Sequence, residues 1–190
     1  MITTDNQLIA KLLSILNTGF ALQAANQVPG YTQAFPVLQK NQPTKEGIPA
    51  GPALFLEKLF DRRHGFAKPE YRLNADSTFL NEWENQVYVS TFQLSARSMQ
   101  FPDVYIPTAS DLLSTAAGFL QSVATVDALQ LEGVGAFRVV SNLSNGYLPD
   151  DQDRPEASPS LDIVVTYTRV TLVAAVPVVS KITGNIEVIP

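Results

Sequence analysis

The stretch 78-TFLNEWENQVYVSTFQLSAR-97 decides the fold. Val, Tyr, Phe, Trp and Thr are dense in it and helix breakers are absent, which is strand composition. Tyr88, Phe92 and Leu94 fall on one face, and Trp83, Val87, Val89 and Thr91 on the other. Both faces are partly apolar, as in a strand covered on each side. Its 20 residues far exceed the usual strand length of about five or six. Either it breaks into a hairpin near Asn81–Asn85 or it projects beyond the domain.

Upstream, Thr4 and Gln7 have the spacing of a capping box, and Leu8, Ile9, Leu12, Ile15, Leu16 and Phe20 follow at helical steps until Val28-Pro29-Gly30 stops them. The Pro-rich stretch from Tyr31 to Gly51 reads as loop, with Val37 and Leu38 as a short edge strand. Next, 52-PALFLEKLF-60 reads as a strand, and Asp61–Phe66 as a turn.

Downstream, Pro107, Thr108 and Asp111 open a second helix carrying Leu112, Leu113, Ala116, Phe119, Leu120 and Val123. A short helix around Asp127–Glu132 ends at Gly133. Strand 136–140 then leads to 144-SNGY-147, whose Asn-Gly predicts a turn. The polar segment 149–160 precedes 161-LDIVVTYTRV-170, where Leu161, Ile163, Val165 and Tyr167 alternate with polar residues. Two further extended pieces, 171–180 and 185–190, end the sequence.

This order predicts an α+β fold: a mostly antiparallel sheet with two main helices packed on one face, plus an extended C-terminal arm. The expected division is a single domain over 1–170 and an arm over 171–190. An apolar strand left open is an aggregation hazard, so a neighbouring subunit is expected to pair with the arm.

Composition narrows the function. With no cysteine there is no disulfide framework and no thiolate chemistry. The start, MITTDNQ, lacks the basic and apolar regions of a signal peptide, and runs such as 170–179 are too short to span a bilayer of about 30 Å. Net charge is −5, with all the excess acid in the second half: residues 1–95 carry eight Lys/Arg and eight Asp/Glu, and 96–190 carry five and ten. The clustered cations of a duplex-gripping protein are missing, whereas an acidic surface lets DNA slide past.

Catalytic material is scarce. His64 is the single histidine, preceded by Arg62 and Arg63, and it reads as a solvated side chain. No GxSxG, HExxH, GxxxxGK[ST] or GxGxxG occurs. Asp150, Asp151, Asp153, Glu156 and Asp162 supply enough oxygens for a divalent cation, but without the glycine of an EF-hand loop. Pairing of Asp150, Asp151, Asp153 and Glu156 with arginines of an adjacent copy is the preferred reading; Arg62, Arg63, Arg72 and Arg97 are the available partners. Val173, Val176 and Val178 are the apolar contact candidates of the arm. No cofactor, resident metal or membrane contact is expected.

Four stretches are similar to the small neck and tail-terminator proteins of long-tailed phages and prophages. They are 48-IPAGPALFLEKL-59, 82-EWENQVYVSTFQLSAR-97, 108-TASDLLSTAAGFLQS-122 and 150-DDQDRPEASPSLDIVVTY-167, in that order. The segment after Val170 and the insert 98–107 depart from the pattern. The resemblance implies a non-enzymatic virion protein, assembled in the host cytoplasm, that forms a ring ending the tail tube and joining tail to head. Its implied partners are further copies of itself, six or twelve to a ring, the head–tail connector, and tube or sheath proteins; the genome would pass through without specific binding. The alternatives are a host-facing binding module or assembly chaperone and, behind these, a small metal-dependent hydrolase.

Overall fold

The computed structural model describes residues 4–40, 51–76, 78–98, 106–149 and 155–178, with backbone alone at 140–149 and 155–158. Helix α1 spans Asp5–Ala25 and begins as its sequence predicts. The Thr4 hydroxyl accepts from the Gln7 N–H at 3.3 Å, and Gln7 Oε1 accepts from the Thr4 N–H at 3.1 Å. Helix α2, Ala109–Gln121, is capped the same way by Thr108 and Asp111. Helix α3, Val123–Leu131, starts earlier than the periodicity suggested because Ser122 both ends α2 and caps the next turn through the Thr125 N–H.

Among the described residues five strands form one sheet in the order β1-β2-β3-β5-β4: Val37–Gln39, Ala53–Leu73, Phe79–Arg97, Val134–Pro149 and Pro155–Pro177 in chain order. Of the four pairings between these strands, β1–β2 is parallel and the other three are antiparallel. β1 is held from the side by Asn17 of α1, whose amide oxygen accepts from the Val37 N–H and whose amide nitrogen donates to the Val37 carbonyl. An amide thus takes the place of a neighbouring strand.

Leu8, Leu12, Leu16 and Phe20 of α1 and Leu112, Leu113 and Leu120 of α2 are fully buried, together with Leu54, Leu56, Phe92, Leu94, Ile163 and Val165 of the sheet. Each such side chain contributes about 1.5–3 kcal/mol by leaving water. By length and composition α1 is apolar enough to cross a bilayer, yet its stripe is used against the sheet. Phe20 gathers Tyr31, Phe35 and Phe119 around it at centroid distances of 5.2–6.3 Å. The two helices approach closely at Gly19: a Cβ there would lie 2.5 Å from Phe119 Cδ2.

β3 is one unbroken strand, and it projects. Its even-numbered residues Ser90, Phe92, Leu94 and Ala96 face the core, while the opposite face is half-buried. Asp61–Phe66 is not a turn but the middle of β2. The turn signal there comes from Gly65, at φ +69°, where the register shifts between His64 and Lys68; the glycine makes a bulge and pairing resumes. Asn145-Gly146 likewise lies inside β4, where pairing with β5 continues through it to Pro149↔Pro155. Residues 155–160, read as polar connection, belong to β5. Val170, where the arm was expected to start, lies within the same strand, and residues 171–177 stay paired with β3 as far as Phe79↔Pro177.

Candidate functional site

β5 is 23 residues long, roughly 75 Å at about 3.3 Å per residue, and it outruns the helices at both ends. At one end it pairs only with β4, from Asn145↔Pro159 to Pro149↔Pro155. At the other it pairs only with β3, which pairs in turn with β2, making a three-stranded ribbon that closes at Leu73↔Leu80. The two projections therefore point in opposite directions along one strand.

The ribbon exposes apolar side chains among charged ones. Leu73, Leu80 and Val176 lie side by side across it on one face. Phe79, Leu172 and the bulged Val173 add to the exposed apolar surface, and Phe66 at the β2 irregularity is 101% exposed. Isolated exposed apolar residues are ordinary on a protein surface, whereas Leu73, Leu80 and Val176 stand in register on three neighbouring strands.

At the ribbon's root lies a charged network on the helix side of the sheet. Asp5, in the first turn of α1, accepts from Lys58 Nζ at 2.6 Å, from the Tyr167 hydroxyl at 2.6 Å and from Arg169 Nη2 at 2.7 Å. Lys58 also binds Asp61, which accepts the Ser90 hydroxyl. The Arg169 guanidinium sits 4.9 Å from the Tyr88 ring centroid, and Tyr88 stacks on Tyr167 at 6.1 Å. Arg63 approaches the same Tyr88 ring at 5.9 Å. Burial would raise the Asp5 carboxyl, but the hydrogen bonds from Lys58 and Tyr167 and the charges of Lys58 and Arg169 outweigh it and hold the carboxyl below its ordinary value. Burial would lower Lys58, yet Asp5 and Asp61 raise it. Burial and the Asp5 hydrogen bond push the Tyr167 hydroxyl upward. The network staples α1 to β2, β3 and β5 where the ribbon leaves the body.

The expected contact residues separate. Arg62, Arg63 and Arg72 lie on β2 in the ribbon or its root, as Val173, Val176 and Val178 lie on or beside its β5 strand. Arg72 forms a two-pronged pair with Glu70 at 2.7 and 2.8 Å. Arg97 stands opposite Ala53 at the far end of β3, toward the β4–β5 projection. Asp150, Asp151 and Asp153 lie outside the described residues, between Pro149 and Pro155, and Glu156 is placed by its backbone opposite Leu148. His64 is exposed on β2, opposite Val87. Among the described residues no three His, Cys, Asp or Glu side chains gather as metal ligands. The sequence reading missed Asp5, Lys58 and Arg169. Arg169 carried a signal: it continues the buried face of Leu161, Ile163, Val165 and Tyr167, so a cation had to be accommodated at the edge of the core.

An α+β body with two opposed β projections and a ribbon that exposes apolar side chains has the form of an assembly subunit. Residues 7–176 match the family described as "E217 gateway protein gp29", a phage family, and the chain belongs to it. The resemblance to phage neck and tail-terminator proteins is borne out at that level. A solved structure similar to the chain is that of an extracellular contractile injection system, the PVC sheath/tube terminator in its extended state. Identity is 10% and the TM-score 0.45; the match covers 98% of this chain and 65% of that one. Among curated proteins nothing matches significantly.

Proposed function

We propose that this chain is a structural subunit of a phage virion that ends the tail tube and joins it to the head as a closed ring. Membership of the gateway-protein family over residues 7–176 is the observation that carries the reading. The geometry supports it: head-to-tail rings need two different surfaces on each copy, and β5 carries a different projection at each end. On this reading 1–170 is the structural body, and the remainder from 171 makes subunit contacts through Val173, Val176 and Val178. Asp150, Asp151, Asp153 and Glu156 lie at a subunit contact or on the inner rim, with Arg62, Arg63, Arg72 and Arg97 as the basic counterparts. The ring has six or twelve copies and abuts the head–tail connector on one side and tube or sheath proteins on the other. DNA passes without being gripped, in keeping with a net charge of −5. The chain performs no catalysis and needs no cofactor.

Mass photometry and negative-stain imaging of the purified full chain test this. Six or twelve copies in a closed ring support it. A protein that stays monomeric at every concentration is incompatible with it.

A further inference from the structure

Phe66 is fully exposed, at 101%, and the fold holds it there. Residues 65–67 of β2 stand against the single Gln86 of β3, between the rungs His64↔Val87 and Lys68↔Asn85. Gly65 makes the bulge at φ +69°, and the Gln86 amide donates to the His64 carbonyl at 3.0 Å, satisfying an acceptor in the interrupted ladder. Asp61 points to the helix side, where it accepts the Ser90 hydroxyl, so its neighbours Phe60 and Arg62 occupy the face away from the helices. Phe60 is 58% exposed, and Arg62 is exposed and in no ion pair among the described residues. The register shifts and Pro69 keep a strand from adding along this flank, so what it offers a neighbour is side chains.

The other flank carries the complement. α3 packs on β4, the last strand of the sheet, and buries Thr125 and Leu129. On its far side Val123, Asp127 and Leu131 recur at every fourth position. Val123 is 76% and Leu131 88% exposed. Asp127, the one charge of the helix, is exposed and in no ion pair among the described residues. Each surface reads apolar, charged, apolar, with opposite signs. Within one chain they cannot meet, because they lie on opposite flanks and opposite faces of the sheet. They do lie level along the strands. His64 pairs with Val87 and Val87 with Thr168, while Val134, three residues after Leu131, pairs with the adjacent Tyr167.

We propose that Phe60, Arg62 and Phe66 of one copy seat on the outer stripe of α3 of the next, with the Arg62 guanidinium on the Asp127 carboxylate and the two aromatic rings over Val123 and Leu131. The occupant is a second copy because the chain carries both halves of the contact, unpaired and level, on flanks that turn away from each other. That is what a head-to-tail ring requires. Aromatic and arginine side chains are also the types that anchor interfaces. Arg62 is among the cations assigned above to subunit contacts; the inference rests on that ring reading and names the helix that receives it.

Charge reversal tests this on the full chain. Arg62→Glu and Asp127→Arg each put like charges together at every contact. Each should raise the concentration below which rings dissociate by about tenfold or more in mass photometry. Both residues are exposed, so circular dichroism and the melting temperature should stay with the parent. An equimolar mixture of the two variants should form rings again, because alternating copies restore opposite charges at every contact and six and twelve are both even. Phe66→Ser should weaken the ring by itself, and it carries the test if a reversal unfolds the chain. Rings that survive both reversals and Phe66→Ser unchanged would overturn the proposal, and so would a mixture as dissociated as its components. Intact rings that lose binding to a single-stranded oligonucleotide would assign Arg62 and Phe66 to nucleic acid and overturn it as well. A parent chain that forms no ring would sink the functional reading and this inference with it; rings untouched by the variants sink this inference alone.

Discussion

The hydroxyl of Tyr167 donates to the carboxylate of Asp5 at 2.6 Å, joining two residues 162 positions apart in the chain. The bond ties the first turn of α1 to the point on β5 where the covered sheet ends and the bare ribbon begins. The ribbon's direction relative to the body is set there, because the same carboxylate also takes Lys58 from β2 and Arg169 from β5.

Asp5→Ala should therefore loosen the ribbon more than the core. The expected loss is about 1–2 kcal/mol, discounted from the range of about 1.5–3 kcal/mol for hydrogen bonds to a charged group because Asp5 is about a third exposed. Urea unfolding followed by circular dichroism measures it. Amide exchange should speed up at β5 residues 168–177 by a larger factor than at the buried positions of α2.

The pH dependence follows from the same groups. The Asp5 carboxyl is held below its ordinary value, so its contribution is present above about pH 4 and is lost as the pH falls through its lower folded value. Lys58 is raised, so its share is complete below about pH 10 and lost only above its folded value. Tyr167, also raised, adds to the alkaline loss. Stability measured against pH should be flat between those limits, and Asp5→Asn should flatten the acid limb. An unchanged acid limb in that variant would assign the acid loss to other carboxylates.

Gly19→Ala tests the helix crossing. Alanine is better than glycine in a helix by about 1 kcal/mol, but its Cβ would stand 2.5 Å from the Phe119 ring. Overpacking of this kind costs about 1–3 kcal/mol, so the variant should be less stable. Phe119→Leu should recover part of the loss in a double-mutant cycle. A stabilised single variant would mean that Phe119 moves aside at little cost.

What was legible in the sequence was local. Thr4 with Gln7 and Thr108 with Asp111 marked two helix starts because a capping box is written within four residues. The alternation of Leu161, Ile163, Val165 and Tyr167 marked a half-buried strand for the same reason. Strand ends were not legible: Gly65 and Asn145-Gly146 carry turn chemistry, yet pairing with β3 and β5 carries the chain through both. The root network was invisible as a unit, since Asp5, Lys58, Asp61, Ser90 and Arg169 meet only through the sheet register. Arg97 was grouped with Arg62, Arg63 and Arg72 by charge alone, and the antiparallel run of β2 and β3 separates them.

Leu80→Lys together with Val176→Lys should leave the fold intact and block assembly. The two are register partners on neighbouring strands, both exposed and beyond the end of the buried core. Circular dichroism and the melting temperature should stay close to the parent, while light scattering reports only small species. Deleting 171–190 should have the same effect, because the core ends at Tyr167. Unfolding of the truncated chain would instead make the ribbon part of the folding unit.

The most direct measurement of the central claim is a cryo-electron microscopy map of the intact virion at the head–tail junction. The account predicts this chain in a closed ring of six or twelve copies between the portal and the tail tube, with its two β projections engaging neighbouring copies. A map in which that position is filled by other proteins and this chain is missing from the particle would contradict it.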